Sequence, residues 1–188
     1  MTAQEAFHPP GKYRLSAADY LTLANAGAFE GLRTELIEGD VIVMSPQHRP
    51  HGFIKDELAY RLRRKLEEMA SGWHVATEQS VALEPHSEPQ PDIILTSEPK
   101  GAGPIPAETV ALIVEVADSS LEFDLGEKAR VYASAAVREY WVADVNGRQL
   151  LQFWSPAGDG YGERHEVAFG GTATAATIDG LTIDLIIG

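Results

Sequence analysis

The sequence predicts a mixed α/β domain with one central sheet, mostly antiparallel and flanked by helices. Three observations carry this. Helical and strand-like periodicities alternate along the chain: helix, hairpin, helix, several strands, helix, several strands. Residues 109–117, TVALIVEVA, are apolar almost throughout, as in a strand covered on both faces. Asn146-Gly147 separates two β-rich runs, a strong short hairpin signal.

The chain has 188 residues, which suits a loose arm over 1–15 followed by a single domain over 16–188. The arm is polar and carries Pro9, Pro10 and Gly11. Ser16 with Asp19 forms a capping box in which Asp replaces Glu, opening a helix over 17–25. Gly27 and Gly31 end it. Strands over about 33–38 and 40–44 flank a turn at Gly39-Asp40. Pro46 and Pro50 bound a loop, and a long helix runs over 51–70. Ile54, Leu58, Leu62, Leu66 and Met69 form its apolar face. Glu57–Arg61 and Arg64–Glu68 pair at i,i+4 on its other face.

Gly72 stops that helix, and 73–83 holds one or two strands. Residues 91–96 form a short apolar strand with Pro91 first, where proline is tolerated. A polar Gly/Pro loop spans 97–108 before the strand at 109–117. A helix over 124–135 presents Leu125, Ala129 and Tyr132 for packing. REYWVAD and RQLLQFWS are the next strands, and 161–169 and 181–187 supply weaker terminal ones. Tyr140 and Trp141 read as core or interface.

Composition narrows the chemistry. There is no cysteine, which excludes disulfides, thiolate zinc sites and cysteine nucleophiles. No leader-like apolar segment opens the chain, and no apolar run approaches the roughly 20 residues of a membrane helix. A soluble cytoplasmic protein without a membrane partner is expected. The net charge is −13, from 15 Lys and Arg against 28 Asp and Glu. Nucleic-acid binding then needs a local basic patch, a metal ion or a partner. Arg61, Arg63, Arg64 and Lys65 are the densest basic stretch, read first as a salt-bridged helix face and second as a phosphate contact.

Pairing the strands around 97–108 as an antiparallel hairpin brings Asp92 and Glu115 near the same end of adjacent strands. Two carboxylates held together need a cation or a proton. Hard oxygen ligands suit Mg²⁺ or Mn²⁺, which leaves room for a substrate phosphate. Lys128 is positioned to stabilise an attacking hydroxide or growing phosphate charge; its structural alternative is an i,i+4 pair with Asp124. Glu35 is a further candidate ligand or water-orienting group. His51 is a candidate phosphate contact or acid. His48 and His51 lack the acidic partner of a zinc site.

The blocks RTELIEGDVIVMSPQHRPHG, PDIIL, LIVEVADSS and DLGEKARVYASAAVREYWVAD resemble, in order, those of the Uma-two putative restriction endonuclease family. That family is a branch of the PD-(D/E)XK nuclease superfamily, and the resemblance spans roughly 16–187. It implies a restriction-endonuclease-like core and a Mg²⁺-dependent endonuclease that cuts DNA, in a homodimer. It implies Asp92 and Glu115 as the motif carboxylates, with Glu35 as a third metal candidate. The superfamily lysine position falls on Ala117, so its role passes to Lys128 on the following helix, with His51 opening the long helix. Ala117-Asp118-Ser119 stands where the family often has Ser-Pro-Ser, and Ala136-Val137 where it often has a glycine. The acidic charge motivates a second reading, a catalytically silent module that binds a protein or nucleic-acid partner.

Overall fold

The computed structural model describes residues 11–83 and 85–187. Residues 1–10 of the expected arm lie outside the described residues. Residues 11–15 run past the first hairpin, where the Leu15 amide donates to Gly39 O at 3.1 Å.

Helix α1 (Ala17–Asn25) opens on the expected capping box: the Asp19 amide donates to Ser16 Oγ, and the Ser16 amide donates back to Asp19 Oδ2. Strands β1 (Thr34–Ile37) and β2 (Asp40–Val43) pair antiparallel. Their turn is Glu38-Gly39, one residue earlier than expected. Both turn residues have positive φ, 49° and 86°, the geometry whose twist matches a two-residue hairpin. Glycine is also needed for space, since a Cβ at Gly39 would stand 2.6 Å from Arg14 Cβ.

Helix α2 (Arg49–Glu68) begins two residues before the expected start. Pro50 lies in its first turn, where no N–H is required. Ile54, Leu58, Leu62 and Leu66 are buried, and both i,i+4 ion pairs form at 3.0 Å. Arg61 also reaches Asp184 and Ile186 O, so it is held in structural contacts.

Next come β3 (His74–Thr77), β4 (Val81–Ala82) and β5 (Ile93–Thr96). The expected loop over 97–108 contains β6 (Ile105–Pro106), which pairs parallel with β4. A 3₁₀ turn, Ala107–Thr109, then leads into β7 (Val110–Ala117), buried along its whole length. The following helix starts earlier than expected, at α3 (Leu121–Phe123). It passes through a π-helical turn, Asp124–Lys128, and continues as α4 (Ala129–Ser134). Leu125 does not pack as expected: the wider turn leaves it 37% exposed, while Tyr132 is fully buried. Strands β8 (Glu139–Asp144), β9 (Gln149–Ala157), β10 (Gly160–Ala168), β11 (Thr172–Thr174) and β12 (Thr182–Asp184) complete the order.

Among the described residues the main sheet has six strands in the order β10-β9-β8-β7-β5-β3. Only β7 and β8 run parallel, because the α3–π–α4 crossover joins them. The predicted mixed, mostly antiparallel sheet with flanking helices is therefore present. Its two faces carry separate cores. Leu58 and Leu62 of α2 pack with Ile93, Leu112 and Val114 on one face. Tyr132 of α4 packs with Ile94, Ile113 and Tyr140 on the other. Tyr140 and Trp141 are both fully buried. No helix among the described residues is long and apolar enough to cross a membrane.

Candidate active site

The period of two along β5 and β7 fixes the site. Ile93 pairs with Val114 and Ile94 with Ile113. One step further sets Asp92 directly across from Glu115, on the face of Ile94, Ile113 and α4. The chain locks this pair through its own backbone. The Asp92 amide donates to Glu115 Oε2 at 3.3 Å, and the Val116 amide donates to Asp92 Oδ2 at 2.8 Å. Like charges directly opposite one another destabilise a sheet, so the pair needs compensation.

Lys128 supplies part of it. The π-turn carries the Ala129 amide back to Asp124 O, five residues earlier, and widens the helix at the site. Lys128 Nζ then lies 2.9 Å from Glu115 Oε1, 3.2 Å from Glu35 Oε1 and 4.0 Å from Asp124 Oδ1. Glu35, Glu115, Asp124 and Lys128 are 2–4% exposed, and Asp92 is 6% exposed. Three carboxylates thus surround one ammonium, with Asp92 beside Glu115 as a fourth.

Each carboxylate is tied by further donors. The Tyr132 hydroxyl donates to Glu115 Oε1 at 2.8 Å. The Gln90 amide donates to Glu35 Oε2 at 3.1 Å. Ser120 Oγ donates to Asp124 Oδ2 at 2.5 Å. Gln47 Nε2 donates to Asp92 Oδ1, and Lys55 holds the Gln47 amide in that orientation from its other end, 3.3 Å from Oε1. His51 Nε2 lies 3.1 Å from Asp92 Oδ2, while its Nδ1 is buried with no partner among the described residues.

The electrostatics follow from this crowding. Burial pushes the Glu115 carboxyl up to about 8; Lys128 opposes the shift, and Asp124, Asp92 and Glu35 add to it. Burial likewise raises Asp124, against Lys128 and Ser120. Burial alone would lower Lys128, but Glu115, Glu35 and Asp124 outweigh it and keep the ammonium charged.

The structure therefore brings Asp92, Glu115, Lys128, Glu35 and His51 together, as the sequence analysis expected of them. Asp124, Tyr132 and Gln47 belong to the same cluster and were not expected there as functional groups. Asp124 and Tyr132 stand four residues before and after Lys128, a spacing that flags shared surroundings on a helix. Gln47, in a proline-bounded loop, carries no such signal.

Among the described residues no group of three or more His, Asp and Glu side chains is arranged as an ion cage. Glu35, Asp124 and Glu115 all turn toward Lys128, and only Glu115 also faces Asp92. The opposed pair Asp92 and Glu115 remains, and its hard oxygens fit a cation such as Mg²⁺, which takes one or two carboxylates and keeps its waters. A pocket of about 240 Å³ opens above these groups.

Residues 17–185 match the Uma2 family, described as "Putative restriction endonuclease". No curated protein matches the chain. Among solved structures, the chain is similar to a putative nuclease belonging to DUF820 from Anabaena variabilis ATCC 29413, with a TM-score of 0.70 at 12% identity. The similarity covers 92% of this chain and 96% of that one, and it is a likeness of fold.

Proposed function

The chain belongs to the Uma2 family of putative restriction endonucleases, and on that premise we propose that it is an endonuclease that hydrolyses DNA phosphodiester bonds with Mg²⁺ or Mn²⁺. The buried, directly opposed pair Asp92–Glu115 beside the Lys128 ammonium carries this reading. Asp92 and Glu115 would hold the ion. When bound, the ion supplies Lewis-acid polarisation of a phosphoryl oxygen and an acidic water.

The chain's own residues do the rest. Lys128 sets a positive charge where the attacking oxygen and the phosphate accumulate negative charge. Glu35, third in the expected ligand set, orients Lys128 through its Oε1. His51 and Gln47 each engage one oxygen of Asp92 and fix its rotamer. A cytoplasmic homodimer is the assembly this reading expects, each centre acting on one strand.

The test is cleavage of plasmid and oligonucleotide DNA with Mg²⁺ or Mn²⁺, wild type against Asp92→Ala. Cleavage by wild type alone supports the reading. Equal cleavage by both refutes it, because the activity is then a contaminant's. The silent-module reading is favoured by the net charge of −13 and by a lysine already seated among the carboxylates. Calorimetric titration with Mn²⁺ separates the two: binding lost in Glu115→Ala favours the enzyme, and no binding at millimolar metal favours the module.

A further inference from the structure

The pocket has two unlike sides. One is the acidic floor of Asp92, Glu115 and Asp124 with Lys128. The other carries an apolar strip, Ile42, Val43 and Met44 at the end of β2 and Phe123 of α3, flanked by polar residues such as Ser45 and Ser119. Phe123 is partly buried, and its ring centre lies 6.0 Å from Lys128 Nζ. Val43 at the rim is 58% exposed, whereas Glu115 on the floor is 3% exposed. A phosphate must therefore pass between residues 42–48 and 118–123 to reach the carboxylates.

We propose that the strand to be cut enters this pocket unpaired, with its phosphate on the Asp92–Glu115 floor and an adjacent base against Phe123 and Met44. The proposal rests on the nuclease reading and adds the class of substrate. A paired duplex carries its phosphates on the outside of a stiff cylinder, with stacked base pairs behind each one. It has no free base to offer the apolar wall. An unpaired nucleotide has a flexible backbone and an open base face, so it matches both sides at once.

Charge points the same way. Proteins hold duplex DNA mainly through phosphate contacts from Lys and Arg. Here Lys128 is engaged with three carboxylates, and Lys55 and Arg33 both pair with Glu78. Arg49, exposed at the start of α2, remains. With a net charge of −13, the chain repels a duplex more than a single strand, which carries fewer phosphates along its length. Affinity beyond what the ion supplies must then come from the base, and only an unpaired base presents its face.

Three DNAs of one sequence test this with Mn²⁺: a single strand, a full duplex and a duplex with a central mismatched bubble. The expected result is that the single strand and the bubble are cleaved with a kcat/KM at least about 10-fold above the duplex. Phe123→Ala is expected to raise KM for the single strand about 5-fold or more, the lower range for loss of one stacked base. Its kcat and its calorimetric Mn²⁺ affinity stay near wild type. Met44→Ala, a milder change on the partly exposed loop, moves KM in the same direction. Equal cleavage of all three DNAs, or an unchanged KM in both variants, overturns the proposal and leaves the nuclease reading standing. No cleavage of any of them overturns the nuclease reading and this proposal with it.

Discussion

The hydroxyl of Tyr132 donates to Glu115 Oε1 across 2.8 Å, with both side chains buried. Lys128 reaches the same oxygen. Two donors thus fix one oxygen of Glu115, and the other accepts from the Asp92 amide. The carboxylate is held in one rotation before any ion arrives.

Tyr132→Phe removes that hydroxyl and little volume. Partners that orient a ligand typically change metal affinity 10–100-fold when lost. Mn²⁺ affinity by calorimetry is expected to fall about 10-fold. Stability to urea is expected to fall by only about 1 kcal/mol, because Lys128 still satisfies the oxygen. Unchanged Mn²⁺ affinity would limit Tyr132 to packing.

The raised Glu115 carboxyl makes stability depend on pH. Its folded value of about 8 lies above the ordinary glutamate value of 4.5, so the folded state holds a proton that the unfolded chain releases. The stabilising contribution is complete below about pH 4.5 and declines as pH climbs to about 8. For one proton the slope is at most about 1.4 kcal/mol per pH unit. With EDTA present, Tm is expected to decline across this window by more than in Glu115→Gln. A saturating divalent ion takes the place of the proton and reverses the trend. A Tm in EDTA that rises between pH 5 and 8 would contradict the assignment.

Lys128→Met strands Glu115, Glu35 and Asp124 without their ammonium. Breaking a buried ion pair from one side costs about 3–5 kcal/mol, and that loss is expected in full only above the Glu115 value of about 8. It shrinks toward pH 5, where protonation neutralises the carboxylates that burial has raised. Urea denaturation on either side of that value reads the difference. Millimolar Mn²⁺ is expected to stabilise this variant more than wild type, since the ion restores positive charge to the cluster.

The parts of this fold that the sequence revealed are those governed by local chemistry. The Ser16–Asp19 capping box, the apolar face of α2 and the carboxylate in β7 each leave a residue pattern that one physical rule reads. The convergence of Asp92 and Glu115 was readable because an antiparallel hairpin around 97–108 sets both near the same end of adjacent strands, to within one or two residues of register. The turn at Glu38-Gly39 was displaced by one residue because a glutamate rarely adopts the positive φ it shows here. The π-turn was invisible: apart from Gly126, Asp124–Lys128 reads as helix, and the wider turn accompanies the packing of Lys128 among carboxylates from two other segments, β1 and β7. Asp124 therefore looked like a surface partner of Lys128, and Leu125 like a core residue.

Glu139 separates stability from function. It is fully buried on β8, away from the Asp92 pocket. Its Oε1 accepts from Trp141 Nε1 and the Ala176 amide; its Oε2 accepts from the amide and hydroxyl of Thr177. All of its bonds are received, and they pin residues 176–177 to the main sheet. Glu139→Gln keeps the shape but turns an NH₂ group toward two of those donors. The Thr177 hydroxyl can reverse its role, but an amide N–H cannot. An unsatisfied buried donor costs about 1–3 kcal/mol, so a loss of about 2 kcal/mol in urea denaturation is expected. Mn²⁺ affinity and pH dependence are expected to match wild type, because no hydrogen bond joins Glu139 to Asp92, Glu115 or Lys128. If Glu139→Gln weakened Mn²⁺ binding as much as Tyr132→Phe, the affinity loss in both would reflect general loosening of the fold, and the positioning role of Tyr132 would fail.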